Sequence, residues 1–520
     1  MILLTAMLSL VGIGVSAAQP DLRLHFAGAA ALGDEKNAKE LTQIRTAPES
    51  VVVGRLVRVQ FGAYLGEMLG LKAEAKKQLG YAVDRLNGGE ICIEVAGAKV
   101  GAWRAALQLE TELAKKVQSN LRSAFAGSGA TLKHNVDSKE SWTFKWKDSP
   151  EYHVSHQRGW LVIDGVSKAQ PSEWRQEILL NGRPVPAGKS VVAIAVSSRF
   201  IERAIAAVKF PVQFEFNATI RLTNGRLRTE AELNFKEQQA LKLDPFVVPT
   251  NTVRGPLNSF LVARGFAGLI GGVEGLREWR IPQIPNQLVA WSQLELPMYS
   301  MAIVPFPKVQ RYIDRQKARV FESLNPSLAE RKLGKIEYMD NFKSFVWRGL
   351  PLWAPFVGAA PETNGNWAVI GSVPGYIPRG PNTNPPPAEL MKQISGRPEL
   401  IYYHWELTPP RLEQVHMMVE LARMMSVKAF PAQGNPFPNW LRKINPLLGN
   451  TITEVNRVSD TRWKLIRNSQ IGLTATELAL LTHWLTPKME IPKMPVVPPS
   501  PGAAPAVPGK PAVAPLKPGK

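Results

Sequence analysis

His404, Glu406 and His416 form the one arrangement in this chain whose residue types and spacing suit a metal or acid–base site. His404 and Glu406 stand two apart in the strand-like run Glu399–Leu407, so their side chains leave the same face. His416 falls on the helix-like stretch that follows, from which it could fold back toward them. Imidazole and carboxylate groups gathered in this way are ordinary ligands for a divalent cation. Tyr402, Tyr403 and Trp405 crowd the same strand, which favours a hydrogen-bonded structural histidine and a surface glutamate.

Other candidates are weaker. His153 and His156 are three apart in a strand-like run and so face opposite ways. Gly182–Ser190 reads GRPVPAGKS, which invites comparison with a phosphate-binding loop. It has five residues between Gly182 and Gly188 where that loop has four, two prolines stiffen it, and a strand follows instead of a helix. Nucleotide binding is therefore excluded. There is no GxSxG elbow, no HExxH and no Cys/His zinc spacing. The sequence predicts no cofactor and no catalytic residue, and leaves His404, Glu406 and His416 as its metal candidates.

The single Cys92 rules out an internal disulfide. It lies between Ile91 and Ile93 with no histidine near it in sequence, and so reads as a buried, inert thiol. Trp142, Phe144 and Trp146 alternate with polar residues and predict an aromatic stripe on one strand face. Core packing is the expectation for this stripe, and a sugar-stacking platform is the alternative.

The elements that position these residues follow a strand-helix-strand-strand-helix order. Its opening strands fall near Glu90, Ser190, Met298 and Glu399. This predicts an N-terminal strand and helices over 21–89, then four similar units over 90–189, 190–297, 298–398 and 399–485. Val212–Leu222 alternates strictly, Asn224-Gly225 supplies a two-residue turn, and Leu227–Phe235 resumes the alternation. Helices are expected over Ala102–Phe125 and after Pro256, and Thr474 with Glu477 predicts a capping box for the last helix. The expected fold class is α+β, with mostly antiparallel sheets and helices packed on one face.

Met1–Ala18 reads as an export signal cleaved after Ala17 or Ala18, which implies a periplasmic or secreted protein. No later apolar run has membrane length, so no transmembrane span is expected in the mature chain. Residues 486–520 are rich in Pro, Ala and Lys and predict a disordered tail. The formal net charge of +20 favours polyanions such as an anionic envelope polymer or lipid headgroups. Base-reading signatures are missing, so no specific nucleic acid is expected.

Asn382–Leu390, Tyr402–Thr408 and Gly472–Leu478 give the chain a further likeness. It resembles large uncharacterised exported proteins of bacteria of the Verrucomicrobia and Planctomycetes type. That resemblance implies an envelope or secreted setting and carries no activity, ligand or catalytic residue. The expectation is an exported, non-catalytic envelope protein that binds a ligand or partner between sheet and helices. The alternative is a secreted hydrolase using carboxylates that the sequence does not single out.

Overall fold

The computed structural model describes residues 21–485, apart from short internal segments that include 96–102, 205–212, 272–280, 373–381 and 425–435. The expected export signal (1–18), the tail (486–520) and Trp146 lie outside the described residues.

Among the described residues, ten strands occupy the first part of the chain. They are β1 (Leu22–Phe26), β2 (Ile91–Val95), β3 (Trp103–Gln108), β4 (Thr131–His134), β5 (Ser141–Lys145), β6 (Glu151–Gln157), β7 (Trp160–Gly165), β8 (Val192–Val196), β9 (Phe214–Thr223) and β10 (Arg226–Phe235). Ten more follow: β11 (Leu257–Arg264), β12 (Gln287–Gln293), β13 (Ser300–Pro305), β14 (Lys335–Met339), β15 (Ser344–Arg348), β16 (Phe356–Ala359), β17 (Trp367–Gly371), β18 (Leu400–Leu407), β19 (Asn450–Ser459) and β20 (Arg462–Ser469). All twenty join one sheet, and every pairing is antiparallel.

The pairing order repeats. Outward from the central β10–β20 pair, one arm runs β10-β9-β8-β1-β2-β3-β7-β6-β5-β4. The other runs β20-β19-β18-β11-β12-β13-β17-β16-β15-β14. Each strand of the second arm thus takes the place of the strand numbered ten lower. The four spans expected from the sequence all contribute to this sheet, and the boundary between the arms divides the span 190–297, with β8–β10 in the first arm and β11–β12 in the second.

The α+β class with an antiparallel sheet is as expected. The helices, expected on one face, lie on both. In the first arm α1 (Lys39–Thr46), α2 (Pro48–Met68), α3 (Ala73–Asp84) and α4 (Thr111–Gly127) precede α5 (Glu173–Asn181) and α6 (Ser198–Ala204). Leu79 of α3 and Val117, Leu121 and Phe125 of α4 share a core with Phe144, Tyr152, Leu161 and Ile163. Trp174 and Ile178 of α5 pack instead on Cys92, Ala106, Trp160 and Val162, which leave the other side of the same strands. The cause lies in β7, where Trp160–Asp164 are all buried, so both faces need a cover. In the second arm α7 (Val309–Arg319) packs on Phe345 and Ala368, while Leu390 of α8 (Ala388–Lys392) packs with Phe260 and Tyr403.

Helices also bridge the arms. Val53 and Val57 of α2 meet Trp440 and Leu441 of α10 (Phe437–Ile444) and Leu478 and Leu481 of α11 (Ala475–Leu485). The Trp440 indole donates to Ser50 Oγ at 2.9 Å. Between β18 and α10 lies α9 (Thr408–Met424). No helix among the described residues is long and apolar enough to cross a membrane.

Two expected helices are strands in part or whole. The stretch after Pro256 is β11, paired on both sides and buried along most of its length. Ala102–Phe125 divides into β3 and α4. Both errors have one origin, since a short continuous apolar run has no period that separates a core strand from a buried helix. The β9–β10 hairpin forms as expected, with Asn224 and Gly225 both at positive φ (51° and 73°). In the capping box, the Thr474 amide donates to Glu477 Oε2 at 2.8 Å and the Glu477 amide to Thr474 Oγ1 at 3.2 Å.

The described part of the aromatic stripe is core. Trp142 and Phe144 are each 1% exposed, and Phe144 stacks on Phe125 and Tyr152 at centroid distances of 4.1 and 5.0 Å. Phe144→Ala is therefore expected to cost about 3–5 kcal/mol of stability, read from urea unfolding. A loss of under about 0.5 kcal/mol, as at an exposed position, would contradict this packing.

Candidate functional site

Charged residues on the α5 side of the first arm alternate in sign along one rung of the sheet. Arg23 on β1 stands opposite Glu94 on β2, Glu94 opposite Arg104 on β3, and Arg104 opposite Asp164 on β7. Glu94 is buried between two guanidinium groups, accepting from Arg23 at 2.6 Å and Arg104 at 2.5 Å. Arg104 also lies over the Trp174 ring at 4.4 Å, and Arg175 of α5 donates to buried Asp164 at 2.5 Å. Pairing is what makes such burial tolerable, because removing one partner from a buried ion pair costs about 3–5 kcal/mol.

A second rung carries different chemistry. His25 on β1 stands opposite Cys92 on β2, and Glu90, the residue before β2 and two before Cys92, leaves the chain on the same side. His25 Nε2 is 2.7 Å from Glu90 Oε1, and Arg183, from the loop after α5, donates to both Glu90 oxygens at 2.7 Å. Burial alone would raise the Glu90 carboxyl, yet the hydrogen bonds from His25 and Arg183 hold it below the usual carboxylate range. Burial, with the nearby Glu90 charge, pushes the Cys92 thiol up to about 12.

Beside these rungs the sheet surface opens into a groove of about 410 Å³. Ala193 and Ala195 of β8 help form its floor, and Arg23 and His25 stand on one side. Arg221 of β9, Glu230 and Glu232 of β10 and Lys464 of β20 stand on the other. Glu230 accepts from Arg228 at 2.8 Å and lies 3.3 Å from Lys464, and these contacts hold its carboxyl below the usual range.

The second arm provides an internal comparison. The β1–β8 ladder joins Leu22–Phe26 to Val196–Val192, and the β11–β18 ladder joins Ser259–Ala263 to Glu406–Tyr402. Matched end to end, these ladders set Arg23 with Phe260, His25 with Val262, Ala193 with Tyr403 and Ala195 with Trp405. Continued outward, they set Cys92 with Val289, Glu94 with Trp291 and Arg104 with Met301. The charged rung of one arm is thus an apolar core in the other, where Phe260, Val262, Val289, Trp291, Met301 and Tyr403 are buried. The groove opens where alanines replace a tyrosine and a tryptophan.

No family model, curated protein or solved structure matches this chain.

His404 and Glu406 leave the opposite face of β18, as their spacing requires. His404 Nε2 is 3.8 Å from Glu406 Oε2, beyond hydrogen-bonding distance. Glu406 is 1% exposed; it accepts from the Thr408 hydroxyl at 3.1 Å and from the Ala475 amide, at the start of α11, at 2.8 Å. Arg467 on β20 grips Glu477 of α11 through two bonds of 2.8 and 3.0 Å. These polar groups dock α11 on the sheet. Burial pushes Glu406 up and pushes His404 down to about 4, with the Arg467 and Arg411 charges adding to the histidine's shift. His416 does not complete a cation site with them. Among the described residues, the one group of three or more ligand-type side chains whose donor atoms lie within 4.8 Å of one another is His25, Glu90 and Cys92.

The remaining sequence candidates sit within the fold rather than at a site. His156 Nε2 lies 3.2 Å from the Leu109 carbonyl, and burial pushes His153 down to about 4. Gly182 ends α5 at φ 73° and accepts the Trp160 indole at 3.0 Å. Sequence reasoning missed His25, Glu90, Arg23 and Arg183. One signal was present in the alternation itself, with Arg23 and His25 on one face of β1 and Cys92 and Glu94 on one face of β2, continued by Glu90 just before it.

His404 yields a pH prediction. Its proton is bound near pH 6.5 in the unfolded chain and near pH 4 in the folded one, so folding stability falls as pH drops between these values. His153 acts in the same sense. In His404→Gln the decline over this window is expected to be shallower than in the wild type, measured by urea unfolding at a series of pH values. Parallel curves would show that His404 does not titrate with folding.

Proposed function

We propose that this chain is a non-catalytic binding protein of the cell envelope, and that its groove takes an acidic segment of an envelope polymer. The observation that carries the reading is the opening at Ala193 and Ala195, where the matched positions of the other arm hold Tyr403 and Trp405. A fold that can fill these positions with aromatic rings has no structural need for the groove.

The lining favours an anion with polar neighbours. Arg221 is exposed, and its side chain has no hydrogen-bond or ion-pair partner among the described residues. The Arg23 side chain is 56% exposed although it donates to Glu94. Glu230 and Glu232 can accept from hydroxyl or amine groups flanking the acidic one. The overall charge of +20 adds long-range attraction for a polyanion. An exported setting accords with the apolar, small-residue ending of Met1–Ala18.

A hydrolase reading has less support. The groove carboxylate Glu230 is held ionised by Arg228 and Lys464 and so makes a poor proton donor. Glu406 has the raised carboxyl an acid catalyst needs, but it is sealed beneath the start of α11.

Ala195→Trp tests the groove by restoring the residue type found in the second arm. Titration calorimetry with a soluble acidic glycan is expected to show affinity reduced at least ~10-fold in the variant, a loss of about 1.4 kcal/mol. Wild-type binding is expected to weaken as salt rises. Unchanged affinity in Ala195→Trp would sink the groove assignment, and binding only to anionic vesicles would point to lipid headgroups instead.

A further inference from the structure

We propose that His25, Glu90 and Cys92 bind a single divalent cation of the zinc class beside the groove. This goes beyond the groove's own ligand and does not depend on it. The donor atoms of the three side chains lie within 4.8 Å of one another, close enough to share one ion. Two adjacent strands hold them in place. His25 and Cys92 are direct cross-strand partners, and Glu90 precedes Cys92 by two residues, so all three leave one face.

The donor set selects the metal. An imidazole nitrogen, a thiolate sulfur and a carboxylate oxygen together suit zinc, whereas calcium and magnesium prefer oxygen alone. Three protein ligands leave one position of a tetrahedron for water or for a donor on a groove ligand. His25 faces that side, since it lines the groove. On binding, the cation replaces the hydrogen bond between His25 and Glu90. The ring keeps its proton on Nδ1 as the neutral tautomer with Nε2 free for the metal, and Cys92 releases its thiol proton to solvent as the metal–sulfur bond forms. One thiolate and one carboxylate then neutralise the divalent charge. Arg183, on both Glu90 oxygens at 2.7 Å, supplies the outer hydrogen bonds that fix a ligating carboxylate.

Two observations argue that the trio is more than packing. At the matched rungs of the second arm Val262 and Val289 replace His25 and Cys92, and Gln287 takes the position of Glu90. The same sheet is therefore built without these ligands. The trio also sits at the wall of the groove, with His25 14% exposed and Glu90 and Cys92 sealed behind it.

The test uses Co2+ as a spectroscopic probe on the reduced full chain. Stoichiometric binding is expected to produce a near-ultraviolet sulfur-to-cobalt charge-transfer band, displaced by Zn2+. Because Cys92 is the only cysteine, any such band reports on it alone. Cys92→Ser is expected to lose the band, and His25→Gln to bind Co2+ at least ~10-fold more weakly. Zn2+ is also expected to raise the thermal midpoint of the wild type and not that of His25→Gln, which keeps the test independent of how well Cys92→Ser folds. No charge-transfer band in the wild type overturns the proposal, as does equal Co2+ affinity in a folded His25→Gln protein.

Discussion

Everything in this molecule hangs on one antiparallel ladder, the pairing of β10 with β20 from Leu227–Ser469 to Asn234–Arg462. Each arm brings an otherwise open edge to that line, and the main-chain hydrogen bonds there turn two edges into the middle of one sheet. The side chains around it are mixed in character: Ala231 is buried, while Glu230 pairs with Lys464. Backbone pairing joins the strands, and the apolar contact of α2 with α10 and α11 holds the arms together at the helix layer.

Given that frame, the two arms solve the same packing problem differently. The second arm fills the face beneath α8 with Phe260, Trp291, Met301 and Tyr403, gaining roughly 1.5–3 kcal/mol for each fully buried apolar side chain. The first arm spends the matching surface on Arg23, Glu94, Arg104 and Asp164. Their desolvation offsets much of their mutual attraction, so they add little net stability. Keeping the costlier arrangement in one arm only, next to an open groove, is the feature on which the proposed recognition role rests. The polar group on the opposite face of the second arm has a simpler origin. Glu406 and Arg467 answer to α11, which follows β20, whereas an extended segment follows β10.

Local chemistry was legible in the sequence and long-range pairing was not. Asn224-Gly225 announced its hairpin because few other dipeptides accept positive φ at both turn positions. Thr474 and Glu477 announced a helix start because their side chains serve amides only three residues away. Leu257–Arg264 failed because a strand buried on both faces has no alternation to detect. The cluster at Cys92 failed for another reason. Its histidine comes from residue 25, and nothing short of the β1–β2 register says that the two are neighbours. The strand-helix rhythm was visible, but which strands lie side by side is decided by partners far apart in the chain.

The central ladder also sets the order in which the chain can be completed. β10 ends at Phe235 and its partner begins at Arg462, so the first arm can be fully paired while the second is still being made. Contacts of such sequence separation form late, because the intervening chain must first be ordered. Until then β10 presents an unpaired edge, and the β20 of another copy offers the same ladder as its own. Two chains exchanging second arms would satisfy every hydrogen bond of the seam, making this line the natural point for a domain-swapped dimer at high concentration.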